Sequence, residues 1–158
     1  MLFMKKKKPA APKTKQTQPK VKVIWSKEFV QSPSFRGFRK IVLNRYRHEA
    51  VDETIIKMKR AKYDISNSTI RLDLVEAEES YSTKTYQEIR IYIDGMFIGS
   101  VFKSDNVQFP MLTEYEFDKV HIRIEDSSPD EIIENVVTAR AFLFVHYIGT
   151  EPVKVTIK

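Results

Sequence analysis

Residues 89–102, IRIYIDGMFIGSVF, constrain this chain more than any other stretch: two apolar runs are hinged on one Asp-Gly pair. Asp-Gly suits a two-residue type I′ turn, in which both central residues take positive φ and glycine does so without a steric penalty. Such a turn predicts a register pairing Ile93 with Met96, Tyr92 with Phe97, Ile91 with Ile98 and Arg90 with Gly99. One face then carries Ile89, Ile91, Ile93, Met96 and Ile98, and the other Tyr92, Phe97 and Val101 beside Arg90. A ribbon apolar on both faces belongs inside a curled sheet or small barrel, where both sides are covered. At Gly99 the expectation is a bulge that curls the sheet or a close backbone approach.

The flanking sequence extends the pattern. Val21–Trp25 alternates, and FRKIVLNRY (38–46) can form a strand after the turn SPSFRG. AVDETIIKMKRAK changes period, because Val51, Ile55 and Met58 fall at i, i+4 and i+7 on one helical stripe. Asp52 and Glu53 near its start and Lys57, Lys59 and Arg60 near its end suit the helix dipole. DISNS breaks the helix, and TIRLDLVEA reads as a half-buried strand with Ile70, Leu72 and Leu74 opposite Arg71 and Asp73. KVHIRIE (119–125) alternates again. SSPDEIIENV begins like a short helix, with Pro129 at the first helical position and Glu131 three residues after Ser128. TARAFLFVHYIG reads as a central strand and VKVTIK as a closing one. The expected fold is mainly β (α+β): a small curled sheet or β-barrel of six to eight strands with one or two short helices.

At 158 residues the chain is long enough for one domain with a real core. Residues 1–20, rich in lysine and proline and without hydrophobic periodicity, read as a disordered tail, leaving 21–158 as a single β-rich domain. The apolar start MLFM precedes the charges and is too short for a signal peptide. Cysteine is absent, which excludes disulfides, thiolate nucleophiles and cysteine-ligated zinc and fits a reducing, cytoplasmic setting. Neither GxGxxG nor a P-loop occurs, so dinucleotide and nucleotide-triphosphate cradles are excluded.

Charge is unevenly spread. Of the net +6, residues 1–27 carry nine lysines and no acid, residues 28–62 sum to +5 and residues 63–158 to −8. Basic character thus belongs to a tail and one segment, not to the whole domain.

Catalytic chemistry finds little support. His48 lies among charged neighbours, His121 falls on the polar face of a strand, and His146 interrupts an apolar strand as a structural histidine. Residues four apart on a strand are about 13 Å apart, so His121 and Glu125 are not expected to share a metal without a sharp bend. Glu76, Glu78 and Glu79 cluster without any other part of a site, and no GxSxG elbow appears. No catalytic set, metal site or cofactor is expected.

The basic segment is more informative. Arg36, Arg39, Lys40, Arg45, Tyr46, Arg47, Lys57, Lys59 and Arg60 form a candidate nucleic-acid surface, with Phe35 and Phe38 interleaved. Cations neutralise phosphates while aromatic rings stack on bases, which is how single strands are bound. The competing expectation is that these charges are neutralised by the acidic remainder of the chain. In that case the domain is a protein-interaction or structural module, and Phe3, Lys5, Lys6, Lys7 and Lys8 tether it to an anionic membrane.

The order strand, short helix DETIIKMKR, strand TIRLDLVE, loop and then EIRIYIDGMFIGSV resembles the HIRAN family of small β-barrel domains, and VVTARAFLFVHYIGTEPVKVTI is similar to its closing strands. The resemblance spans roughly residues 38–157 and is most specific from Ile91 to Val101. It implies a non-catalytic nucleic-acid module, since some members grip the 3′ end of single-stranded DNA. Where that family commonly has an Asn and an Asp before the hairpin, this chain reads SYSTKTYQ (80–87), so no DNA-end residue is carried over.

Overall fold

The computed structural model describes residues 20–44, 54, 55, 57, 58, 62–79, 82–126 and 139–150. Seven strands and one short helix are defined among them: β1 (Val21–Val30), β2 (Arg39–Val42), β3 (Thr69–Glu78), β4 (Thr85–Ile93), β5 (Met96–Phe102), α1 (Gln108–Thr113), β6 (Phe117–Asp126) and β7 (Ala139–Tyr147). They form two antiparallel sheets, one ordered β1-β3-β4-β5 and the other β2-β7-β6. The mainly β expectation holds as a pair of small curled sheets, and TARAFLFVHYIG is indeed the central strand of the smaller one.

The sheets meet along both edges through single bridges and not through ladders. At one seam Gln31, just past β1, bridges Val120 of β6; at the other Asn44, just past β2, bridges Ser100 of β5. Each seam is reinforced by a glutamine side chain that imitates a strand. The Gln31 amide donates to the Ile122 carbonyl at 2.9 Å and accepts from Ile122 N at 2.8 Å. The Gln108 amide makes the same two-way bond with Val42 on the free edge of β2, both at 2.8 Å. Edge backbone groups that would otherwise lack partners are thereby satisfied.

The core lies between the sheets. Ile70, Leu72, Ile89, Ile91, Ile93 and Ile98 from the larger sheet meet Ile41, Val120, Ile122, Leu143 and Val145 from the smaller one, all with no exposed surface. Burying each such side chain is worth about 1.5–3 kcal/mol. Thr54, Ile55, Lys57 and Met58 are helical, and Ile55 and Met58 enter this core, as the 3.6-residue period requires. Lys62 takes a left-handed conformation (φ 54°) and Tyr63 N bonds the Met58 carbonyl at 3.0 Å, the bond of a Schellman stop.

Four sequence expectations need correction. β1 runs on to Val30, five residues past Trp25, because it has a full-length partner in β3. In the hairpin Ile93–Met96 and Tyr92–Phe97 pair as expected, but Ile98 is an extra, bulged residue, so Ile91 faces Gly99 and Arg90 faces Ser100. That slip brings Val101 opposite Ile89 and into the core, away from the face assigned to it. Asp73, expected on an exposed face, is buried and bonded by Ser26 Oγ at 2.6 Å and by Arg71. The helix-like SSPDEIIENV and the final VKVTIK lie outside the described residues.

Candidate nucleic-acid interface

The outer face of the β2-β7-β6 sheet concentrates rings and cations. Strand alternation sends Ala141, Leu143 and Val145 of β7 inward, and Arg140, Phe142, Phe144 and His146 outward. Register then sets Lys40 and His121 on either side of Phe144, and Val42 and Arg123 on either side of Phe142. The Lys40 Nζ lies 4.1 Å from the centre of the Phe142 ring, with the Arg140 Cζ 5.8 Å from it on the same strand. Both distances are within reach of a cation–π attraction.

Phe35, from the loop between β1 and β2, folds back onto this face. Its ring stacks on His121 (4.8 Å) and tilts against Phe144 (4.6 Å), while the Arg123 Cζ sits 5.0 Å from its centre. Phe144 is buried under it, whereas Phe142 is half-buried. At the far end Phe38 packs on His146 at 5.2 Å, and the His146 Nδ1 donates to Asp118 Oδ1 at 2.7 Å. That bond holds the Asp118 carboxyl below its usual range.

Two clefts flank the 31–38 loop. One, of about 760 Å³, runs along the end of β1 and is lined by Arg36, Phe38, Asp118, Lys119 and His146 among others. The other, of about 580 Å³, lies against β6 and the 63–67 loop and includes His121 and Arg123. Arg36 and Lys119 share the first cleft with Glu28 and Asp118, and Arg123 shares the second with Asp64, so the clefts are charge-balanced beside the more basic sheet face.

The sequence-derived candidates divide accordingly. Lys40 is on the face and Arg36 in the adjoining cleft, and neither enters an ion pair among the described residues. Arg39 takes the opposite strand parity, across from Val145, and is half-buried. Lys57 is exposed on the helical segment. Arg45, Tyr46, Arg47, Lys59 and Arg60, with the tail residues Phe3, Lys5, Lys6, Lys7 and Lys8, lie outside the described residues.

Sequence reasoning missed Arg123, Arg140, Phe142 and Phe144. The signal was present in the alternation of Arg140, Phe142, Phe144 and His146 against three apolar residues, but the stretch was read only as a central strand, with no face assigned to its aromatics. Several acids are used locally. Asp73, Glu88 and Glu125 pair with Arg71, Arg90 and Arg123, each two residues away on the same strand, at 3.2, 2.9 and 3.6 Å. Glu76, Glu78 and Glu79 meet Gln87, the Lys20 amide and Ser82 respectively. No three His, Cys, Asp or Glu side chains converge to hold a metal among the described residues. No helix among them is long and apolar enough to cross a membrane.

Chemically, the face offers one accessible ring bracketed by cations and a second ring layer beneath Phe35. A planar ring system can stack on Phe142 while anionic groups on either side meet Lys40, Arg140 and Arg123. No protein-family model matches the chain, and no curated protein or solved structure matches it.

Proposed function

We propose that this protein is a non-catalytic binding module for single-stranded nucleic acid that uses the outer face of the β2-β7-β6 sheet. The observation that carries the reading is the half-buried Phe142 ring under Lys40 and beside Arg140, with Arg123 across the ladder from it. A base stacks on such a ring whatever its identity, and the flanking cations neutralise the phosphates on either side. The HIRAN-like assignment belongs to the same proposal. The Asp94–Gly95 hairpin supports it, while seams held by single bridges fall short of a closed barrel.

The test is fluorescence anisotropy with a labelled single strand of about 12 nucleotides. The full chain is expected to bind with an affinity that falls steeply with salt, log K changing by about −0.7 per log salt for each phosphate neutralised. Phe142→Ala should weaken binding about tenfold or more, as loss of a stacked base does. Absence of binding even at roughly 50 mM salt, where electrostatic binding is strong, sinks the reading.

A second reading, a protein-interaction module, is favoured by a separate observation. β1 is the outer strand of its sheet and leaves Val21, Val23, Ile24 and Val30 exposed, Val30 to 68%. An apolar edge of that kind pairs readily with another strand. Light scattering over a range of concentrations would show self-association through it.

A further inference from the structure

We propose that the 580 Å³ cleft between the loop after β1 and the 63–67 loop seats one unstacked base, and that it selects bases presenting an amino donor, cytosine over thymine. The inference rests on the nucleic-acid reading above.

Position comes first. Arg123 stands opposite Phe142 in the β6–β7 ladder and also lines the cleft, so the cleft begins one strand away from the stacking ring. Its apolar wall includes Ile65 and Ile124, which accept the flat face of a base.

Selectivity follows from which polar groups remain uncommitted. Gln31 spends its amide on Ile122, and the Tyr63 hydroxyl donates to Asp94 at 2.6 Å. Asp64 Oδ1 accepts from the Ser66 amide at 3.0 Å and the Ser66 hydroxyl at 2.7 Å, which leaves Oδ2 without a partner among the described residues. Those two bonds, that from the hydroxyl first, hold the Asp64 carboxyl below its usual range, so it is a carboxylate at neutral pH. The His121 Nδ1 lies 2.6 Å from the Ser32 carbonyl, which can only accept, so Nδ1 donates its hydrogen there. The Asp64 carboxylate, with one oxygen uncommitted, therefore lines the cleft together with Arg123 and Asn67, whose amide can serve either kind of edge. Cytosine offers an exocyclic amino group at its edge to such a carboxylate, whereas the one donor of thymine, N3–H, is flanked by two carbonyl oxygens that the carboxylate repels.

The experiment compares labelled oligo(dC) and oligo(dT) of about 12 nucleotides on the full chain at neutral pH and one fixed low salt concentration. The wild type is expected to bind oligo(dC) about fivefold more tightly, the effect of one hydrogen bond made or refused. Asp64→Asn keeps an oxygen for Ser66 and converts the free acceptor into a donor, so the preference should vanish or invert. The ratio is the readout, because removing a carboxylate raises both affinities by easing repulsion of phosphate. Equal binding of the two oligomers by the wild type, or an unchanged ratio in Asp64→Asn, overturns the cleft proposal and leaves the stacking platform standing if Phe142→Ala still weakens both. Failure of the wild type to bind either oligomer overturns both. A thermal melt of Asp64→Asn matching the wild type shows that the ratio reports on the cleft and not on folding.

Discussion

Gln31 shows how much a single side chain can carry in this molecule. It is 5% exposed, and its amide makes with Ile122 the two bonds that a further strand residue would make. Gln31→Leu leaves a buried N–H and a buried carbonyl of β6 without partners, which should cost about 2–4 kcal/mol in urea unfolding. Nothing local in QSPSF reveals this role, since the partner lies 91 residues away. Asp94 was legible as a turn residue, and its φ of 49° and that of Gly95, 83°, fit the type I′ turn read from the sequence. Its second role was not legible, because it depends on the 63–69 loop folding over the turn. Partial burial raises the Asp94 pKa, but bonds from Ser68 Oγ, Tyr63 Oη and the Thr69 amide outweigh that and leave it lowered. A group whose folded pKa lies below its unfolded value contributes stability above the unfolded value and loses it as pH falls through the folded one. Asp94→Asn should therefore be less stable than the wild type near neutral pH, by about 1 kcal/mol after allowance for solvent screening. The gap should close as thermal unfolding is followed below about pH 4.

Among elements, the hairpin was the easiest to read and still hid its bulge. Alternation and the Asp-Gly turn specify the first two pairs, but the extra residue arises from a close approach elsewhere in the chain. At Gly99 (φ 147°) a Cβ would lie 2.7 Å from the Leu43 Cβ, backbone-proximal atoms that cannot both stay in place. Leu43 reaches this point because Asn44 and Ser100 bridge the sheets, with Asn44 N bonding the Ser100 carbonyl at 2.6 Å. Both expectations for Gly99, bulge and close approach, thus hold together. Gly99→Ala should destabilise by about 2–4 kcal/mol, from overpacking and an unfavourable φ, as the urea midpoint would show. β7 teaches the converse: its period was plain in the sequence, yet which parity faced the core required knowing that β2 and β6 flank it.

Over the whole molecule, composition gave the charge layout correctly but not its arrangement in space. The candidate interface draws Lys40 from the basic segment and Arg123 and Arg140 from the acidic remainder, so neither net charge alone described it. Tail lysines would add affinity without sequence preference. Removing residues 1–20 should weaken oligonucleotide binding uniformly across sequences and flatten its salt dependence, measured by anisotropy, while Phe142→Ala retains its effect in the shortened chain.

The seams have a consequence for how the molecule opens. Parting β1 from β6 breaks the Ser32–Val120 bond of 2.9 Å, the two Gln31 amide bonds and the stack of Phe29 on Phe117, and spares every ladder within either sheet. The loop that carries Phe35 begins at Gln31, in the seam itself, so the ring covering Phe144 is anchored by the same bonds that join the two sheets.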